Sequence, residues 1–249
     1  MSRSVSYSPD GDSVVLHEPR EPHRRRDRVN GTRIRRMVVD SPTSLGAKAR
    51  MRRWQMFTEA FPEIEKAHVL DLGGTVETWR RAPIRPGRVT VLNLFEPGES
   101  DDGWITPVLG DACDAARVLA DAKTDTHFDV VFSNSLIEHV GGHARRTELA
   151  RQVRELAPRY WVQTPYRYFP VEPHWLFPGM QFMPAAARVA IAEHWPLVHT
   201  RPESTEEARH EVLWTELIGI TEMRDYFPNA MILHERIFGL TKSIIATDS

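Results

Sequence analysis

The chain is predicted to fold as a doubly wound α/β domain: a mostly parallel sheet, helices on both faces, and an antiparallel finish. Three observations point there. Short apolar, β-branched runs recur between residues 67 and 163, separated by helix-forming stretches. The first of them, Val69-Leu70-Asp71-Leu72, breaks into Gly73-Gly74, as a parallel strand does where its ligand-binding turn begins. The last two runs, Met231 to Phe238 and Lys242 to Ala246, are joined only by Gly239-Leu240-Thr241, so they pair antiparallel.

Bulk properties set the frame. A chain of 249 residues is long enough for one large α/β domain with a substantial core. It has no run of about 20 apolar residues, so no membrane-spanning helix is expected. The N-terminus lacks the apolar centre of a signal peptide, and a cytoplasmic location follows as the default. The one cysteine, Cys113, excludes an intramolecular disulfide framework and a cysteine-rich metal site. Charge is spread unevenly. Residues 1–53 hold 13 Lys/Arg against 6 Asp/Glu, a surplus of seven positive charges, and the remainder is −9 for a total of −2. A basic arm of this kind suits a polyanion such as nucleic acid, but few aromatic residues accompany its arginines, which favours a solvated terminus.

Taken in order, residues 1–40 show no lasting period and form an extended, basic arm of poor intrinsic order. Residues 41–249 form the main domain. Ser44 is placed to cap a helix whose apolar face is Leu45, Ala49, Trp54, Phe57 and Phe61, ending before Pro62, and this helix is expected to cross the sheet edge or lid the ligand. Val69 to Leu72 is the first strand of the sheet, and residues 75–81 are a short helix stopped by Pro83 and Pro86. Arg88 to Leu94 and Ile105 to Leu109 are the next strands. A helix over 115–122 leads to a strand over Phe128 to Phe132, a helix over 143–156 and a strand over Tyr160 to Gln163. Residues 164–220 then interrupt the rhythm with an insertion rich in Pro, Trp, Tyr and His, a feature that is usually functional in a compact domain. Helix returns over 221–227 before the final strand pair.

Four strand ends carry residues suited to one ligand. Gly73-Gly74-Thr75 follows Asp71 and allows close backbone approach, with helix N–H groups ready for a carboxylate. Asn93 and Glu96 follow the second strand, where ribose hydroxyls can be held. Asp111 and Ala112 follow the third, where an adenine amino group can donate. Asn134, Glu138 and His139 follow the fourth, at the reacting end of the cleft. The dinucleotide pattern G-x-G-x-x-G is absent, because Gly73-Gly74-Thr75-Val76-Glu77-Thr78 fails its spacing, and no Gly-Lys-Ser/Thr phosphate loop is present.

Together, Val69-Leu70-Asp71-Leu72-Gly73-Gly74, Gly110-Asp111-Ala112, and Phe128 to Asn134 with Glu138-His139-Val140 resemble a class I S-adenosylmethionine-dependent methyltransferase, of the kind that acts on bacterial glycans and small molecules. The resemblance covers residues 65–163, and the ending from Thr221 fits that family's reversed last strand. It implies a Rossmann-like, seven-stranded sheet and S-adenosylmethionine as cofactor. Asp71, Gly73 and Gly74 are implied as cofactor contacts, and Asp111 as the adenine contact. Two positions depart from the family. Thr75 stands where a further glycine is common, and Asn93 stands at the usual acidic ribose position, so ribose recognition falls to Asn93 or to Glu96.

The sulfonium methyl is already electrophilic, so the protein's task is alignment, together with removal of a proton where the acceptor is a hydroxyl. His139 is the first candidate for general base, with Glu138 either orienting it or serving as a first-turn acid, and His174 is the second. Tyr166, Arg167, Tyr168, Glu172 and Trp175 in the insertion are the substrate-binding candidates. The expected reaction is O-methylation of a small molecule or saccharide, since aromatic faces beside polar groups suit such acceptors. An RNA-directed methyltransferase or RNA-binding adaptor using the basic arm is the alternative from another class, and a cofactor-binding fold without catalysis is a third. Glu138, His139, Glu172 and His174 are ligand types for a divalent ion, but their spacing in sequence is not tight and no metal is assigned. A homodimer through the N-terminal helix or the insertion is compatible with the sequence, and no sequence feature demonstrates it.

Overall fold

The computed structural model describes residues 41, 44–198 and 201–249, along with two short strands in the arm. Those strands are β1 (Val5–Tyr7) and β2 (Val14–Leu16), which pair antiparallel. The rest of the expected disordered arm lies outside the described residues. The main sheet has seven strands in the order β10-β11-β7-β6-β3-β4-β5. They are β3 (His68–Leu72), β4 (Arg88–Asn93), β5 (Ile105–Leu109), β6 (Val130–Asn134), β7 (Arg159–Pro165), β10 (Met231–Ile237) and β11 (Leu240–Asp248). β3, β4, β5, β6 and β7 are mutually parallel, and β11 runs antiparallel to both β7 and β10. This is the doubly wound sheet that the motifs imply, with its reversed strand in place.

Strand order and alternation decide what faces what. Leu70, Leu72, Leu92, Val131, Tyr160, Val162 and Ile244 point to one face, covered by helices α3 (Ala115–Asp121), α4 (Gly142–Leu156) and α7 (Ile220–Tyr226) through Leu119, Leu149, Val153 and Met223. Val69, Val91, Val130, Phe132, Trp161 and Ile245 point to the other face, covered by helix α1 (Leu45–Ala60) and by Trp79 of helix α2 (Val76–Arg80). Ser44 does cap α1, accepting from the Ala47 amide at 3.0 Å. The helix reaches the edge strand β10, where Arg53 pairs with Glu235, and it also runs over the interior of the sheet. Trp54 stacks on Phe132 at 5.4 Å and Phe57 meets Trp161 edge-on at 5.5 Å, so α1 lies over the centre of the sheet. A buried aromatic gains more there than along an edge, about 1.5–3 kcal/mol for full burial.

The β6 boundary moved. Phe128 and Asp129 enter by turn-type bonds from their amides to Leu156 and His68 carbonyls, and ladder pairing starts only at Val130, so the strand runs on to Asn134. The insertion is more regular than its composition suggested. A two-residue ribbon, β8 (Val171–Glu172) with β9 (Phe177–Pro178), precedes helices α5 (Ala185–His194) and α6 (Thr205–Trp214). These enclose a small core of their own from Trp175, Met180, Val189, Ala192, Ala208 and Val212. Among the described residues, no helix is long and apolar enough to cross a membrane.

Candidate active site

The Gly-Gly turn is held from beneath and from one side. Gly73 has φ +88°, a backbone region that favours glycine, and its N–H donates to the Leu92 carbonyl at 2.8 Å. At Gly74 a Cβ would lie 1.7 Å from Asp71 Oδ2. Asp71 is therefore packed against the turn, its Oδ2 accepting from Trp79 Nε1 at 2.7 Å inside the core. Its Oδ1 has no hydrogen-bond partner among the described residues, and burial pushes the carboxyl up to about 7. Thr75, expected in cofactor contact, caps α2 by accepting from the Thr78 amide at 3.2 Å.

Asn93 corrects the ribose expectation. Its Nδ2 donates to the carbonyls of Gly73 at 3.0 Å and Gly74 at 2.8 Å, while its Oδ1 accepts from the Phe95 amide. An acidic side chain could not make the two carbonyl bonds. The amide is thus a staple on the turn, and Glu96 is exposed on the following loop. Asp111 is also engaged. Its Oδ1 accepts from the Cys113 amide at 2.9 Å and its Oδ2 pairs with Arg145 at 2.5 Å. Ala112 is buried beside it. Cys113 is buried too, its thiol pushed up to about 12 by desolvation, and it is no nucleophile.

After β6 the chain makes a tight passage. Ser135 has φ +58°, a strained value for a residue with a Cβ, and is fixed by its N–H to the Gln163 carbonyl at 2.9 Å and by its hydroxyl to Gln163 Oε1. Leu136 then lies over Gly73, within 3.1 Å of where a Cβ would stand. Asn134 is exposed and its Oδ1 accepts from Arg53 Nη1 at 2.7 Å; the same guanidinium pairs with buried Glu235 at 2.8 Å. Arg53 of α1 thus ties three elements together at the strand ends, a role no local pattern announces.

Residues 137–139 form a single 3-10 turn that buries Glu138 and brings His139 toward the insertion. The Glu216 amide donates to the Glu138 carbonyl at 2.9 Å, and buried Arg146 reaches Glu216 Oε2 at 2.5 Å, which clamps the turn to the insertion's far end. His139 Nε2 meets His174 Nε2 at 3.0 Å, and His139 Nδ1 is 3.4 Å from the Thr215 hydroxyl. Burial, with the neighbouring His174 second, drives the His139 imidazole down to about 3, so it is neutral at neutral pH. His174 Nδ1 stands 2.6 Å from Glu172 Oε1, and Glu172 Oε2 accepts from the amides of His174 and Trp175 at 2.8 and 3.0 Å.

Several substrate expectations change here. Glu172 is buried and orients His174, the task expected of Glu138 toward His139. Glu138 itself accepts from the Thr164 hydroxyl at 2.9 Å, leaves Oε1 without a hydrogen-bond partner among the described residues, and is raised by burial. Arg167 is spent on structure: it donates to the Leu217 carbonyl and pairs with Glu222 at 2.9 Å. Trp175 is buried in the insertion's core, because its indole fits beneath α5 and α6. Tyr168 stays exposed, with Tyr166 at 5.5 Å and Phe182 at 5.9 Å between ring centroids, and forms an aromatic ledge. A cleft of about 210 Å³ opens beside this group, lined by Arg53, Ser135, Gln163, His174, Lys242 and Ser243 among others. Desolvation holds the Lys242 ammonium below its ordinary value, with Arg53 and Arg50 adding to the effect and Glu235 opposing it.

No family model and no curated protein matches the chain. Solved structures do resemble it in outline. A complex of DhpI with SAM and HEP is 14% identical, with 84% of this chain and 89% of that chain covered and a TM-score of 0.49. A SAM-dependent methyltransferase from Anabaena variabilis is 12% identical over 81% of this chain and 93% of its own, at a TM-score of 0.47. The N-methyltransferase NodS from Bradyrhizobium japonicum is 8% identical over 80% and 95%, at 0.45. The fold itself stands on the strand order and pairing described above.

Proposed function

We propose that this chain is an S-adenosylmethionine-dependent methyltransferase that acts on a hydroxyl oxygen of a small molecule or saccharide. The observation that carries the reading is the Gly73-Gly74 turn at the end of β3, stapled by Asn93 and backed by a buried carboxylate oxygen without a partner among the described residues, together with the carboxylate-held His174 imidazole that meets His139 just past the end of neighbouring β6. The cradle fits the cofactor: Gly73 and Gly74 put no side chain of their own on the turn, and the buried Asp71 Oδ1 beside it lacks a partner that a cationic group would supply. Asp71, Gly73 and Gly74 would hold its amino-acid end, Glu96 its ribose, and Asp111 its adenine, shared with Arg145. When bound, S-adenosylmethionine supplies a methyl group already activated on a sulfonium.

The chain's own residues then position and deprotonate. His174 is the better base of the two imidazoles. Its Nδ1 faces Glu172, which fixes the ring, and it lines the cleft. His139 is half-buried, and its depressed basicity makes it a poor proton acceptor. His174 would take the O–H proton of an acceptor held in the cleft, freeing its oxygen to receive the methyl group that the cofactor would supply. Arg53 and Lys242 make the cleft wall cationic, which favours polar, oxygen-rich acceptors, and the Tyr166–Tyr168 ledge offers a face for a ring.

An S-adenosylhomocysteine release assay against sugars, phenols, fatty acids and RNA tests this. Turnover is expected with a hydroxylic small molecule, and His174→Ala is expected to lose about 10²–10⁴-fold in rate with cofactor affinity kept. Wild-type turnover in His174→Ala would remove the base assignment; release stimulated by RNA alone would favour the alternative reading.

A further inference from the structure

We propose that Glu138, His139 and His174 form a binding site for one divalent first-row transition cation. One ligand atom from each lies within 4.8 Å of the other two. The arrangement has the hallmarks of a built site rather than a chance meeting. Each imidazole has its Nδ1 directed to an oxygen: His174 to Glu172 Oε1 at 2.6 Å, and His139 to the Thr215 hydroxyl at 3.4 Å. Metal-ligating histidines are oriented in this way, by a carboxylate or hydroxyl on the second nitrogen. The two Nε2 atoms are thereby turned on one another at 3.0 Å. That separation suits a shared hydrogen bond, and it equally suits two ligands on a common ion about 2.1 Å from each, at close to a right angle.

Glu138 decides between these. Its carboxylate is fully buried, Oε2 accepts from Thr164, and Oε1 has no hydrogen-bond partner among the described residues. A buried carboxylate oxygen without a donor is costly, and two neutral imidazoles sharing one hydrogen do nothing for it. A cation at this point would serve all three lone pairs at once. Two imidazoles and one carboxylate select zinc, cobalt, manganese or iron over magnesium, which prefers all-oxygen sites. Because His174 also lines the cleft, an ion here would stand beside the acceptor, where it would acidify a hydroxyl and take over the deprotonating role assigned above to the His174 imidazole. Binding of the ion does not itself depend on the methyl-transfer reading.

The test is titration of the full, chelator-stripped chain with Co²⁺, followed by visible absorption, and with Zn²⁺ and Mg²⁺ by calorimetry. One saturable Co²⁺ site with a ligand-field spectrum is expected, with Mg²⁺ much weaker. His139→Ala and His174→Ala should each weaken Co²⁺ binding by at least about 100-fold, and Glu172→Gln by about 10–100-fold. Glu138→Gln keeps an acceptor for Thr164 and should preserve folding, checked by circular dichroism, while also losing Co²⁺. No saturable site, Co²⁺ affinity unchanged in Glu138→Gln and His174→Ala, or Mg²⁺ binding tighter than Co²⁺ would each overturn the inference. Methyl transfer is followed in parallel. Full turnover in a stripped protein that binds no Co²⁺ sinks the ion and leaves the enzyme. A Co²⁺ site lost in the variants of a chain that methylates nothing leaves the ion and sinks the enzyme.

Discussion

Replacing Gly74 with alanine tests the cofactor turn at its tightest point. The new Cβ would stand 1.7 Å from Asp71 Oδ2, whereas a carbon and a non-bonded oxygen need about 3.3 Å, so roughly 1.5 Å of displacement must be found. Asp71 has little room to yield. It is 1% exposed, and turning its carboxylate breaks the 2.7 Å bond from Trp79, leaving a buried indole N–H unpaired at a cost of about 1–3 kcal/mol. Moving the turn instead strains its packing by about 1–3 kcal/mol and pulls the Gly73 and Gly74 carbonyls off Asn93. The expected loss is about 2–5 kcal/mol, read by urea unfolding, with S-adenosylmethionine affinity by calorimetry falling at least tenfold beyond any unfolding. In an Asp71→Ala background the obstruction is gone, and the same glycine change should cost less by about 1–3 kcal/mol. A Gly74→Ala protein within about 0.5 kcal/mol of the parent, or an equal cost in both backgrounds, would refute the reasoning.

Further expectations follow from the same site. The Asp71 carboxyl is raised to about 7 in the folded protein, so its contribution is greatest below its unfolded value and is lost as pH rises through about 7; Asp71→Asn should be more stable than the parent by a margin that grows between pH 4 and 8, toward a ceiling on the order of 4 kcal/mol, in thermal melts across that range. Asn93→Asp puts a carboxylate against two carbonyls and should cut cofactor affinity at least tenfold while an Asn93→Ala protein loses less, as calorimetry would show. Glu172→Gln should lower kcat about 10–100-fold with KM for the cofactor little changed, since it acts through His174; an unchanged kcat would remove the orienting role. Phe57→Ala, far from the chemistry, should cost about 3–5 kcal/mol in urea unfolding, because Phe57 is wholly buried against Phe132 and Trp161.

What could be seen in the sequence was what is local. The Ser44 cap, the glycine turn after β3, the strand runs and the short link into β11 are all written within a few residues; the cap and turn stand where expected, while β6 runs Val130–Asn134 and β11 already begins at Leu240. The α5 and α6 helices were also written locally, as Ala185-Ala186-Ala187 after Pro184 and as Ser204 three residues before Glu207, whose amide it caps. The surrounding Pro, Trp and His masked them. The site was legible as to which residues take part and not as to what each one does. Nothing near Asn93 says that its amide will be consumed by two carbonyls, and nothing near Arg167 announces Glu222, 55 residues away. The meeting of His139 with His174 joins positions 35 apart, separated by helix α4, strand β7 and part of the β8–β9 ribbon. Spacing in sequence argued against a metal for that reason; distance in space does not.

The most direct test is to supply S-adenosylmethionine labelled with carbon-13 at the methyl group, incubate the full chain with a hydroxylic acceptor found in the release assay, and locate the label by NMR. The account predicts a methoxy carbon on the acceptor, formed by the parent and nearly absent with His174→Ala. Label on nitrogen or carbon, or label that never leaves the cofactor with any acceptor, would contradict it.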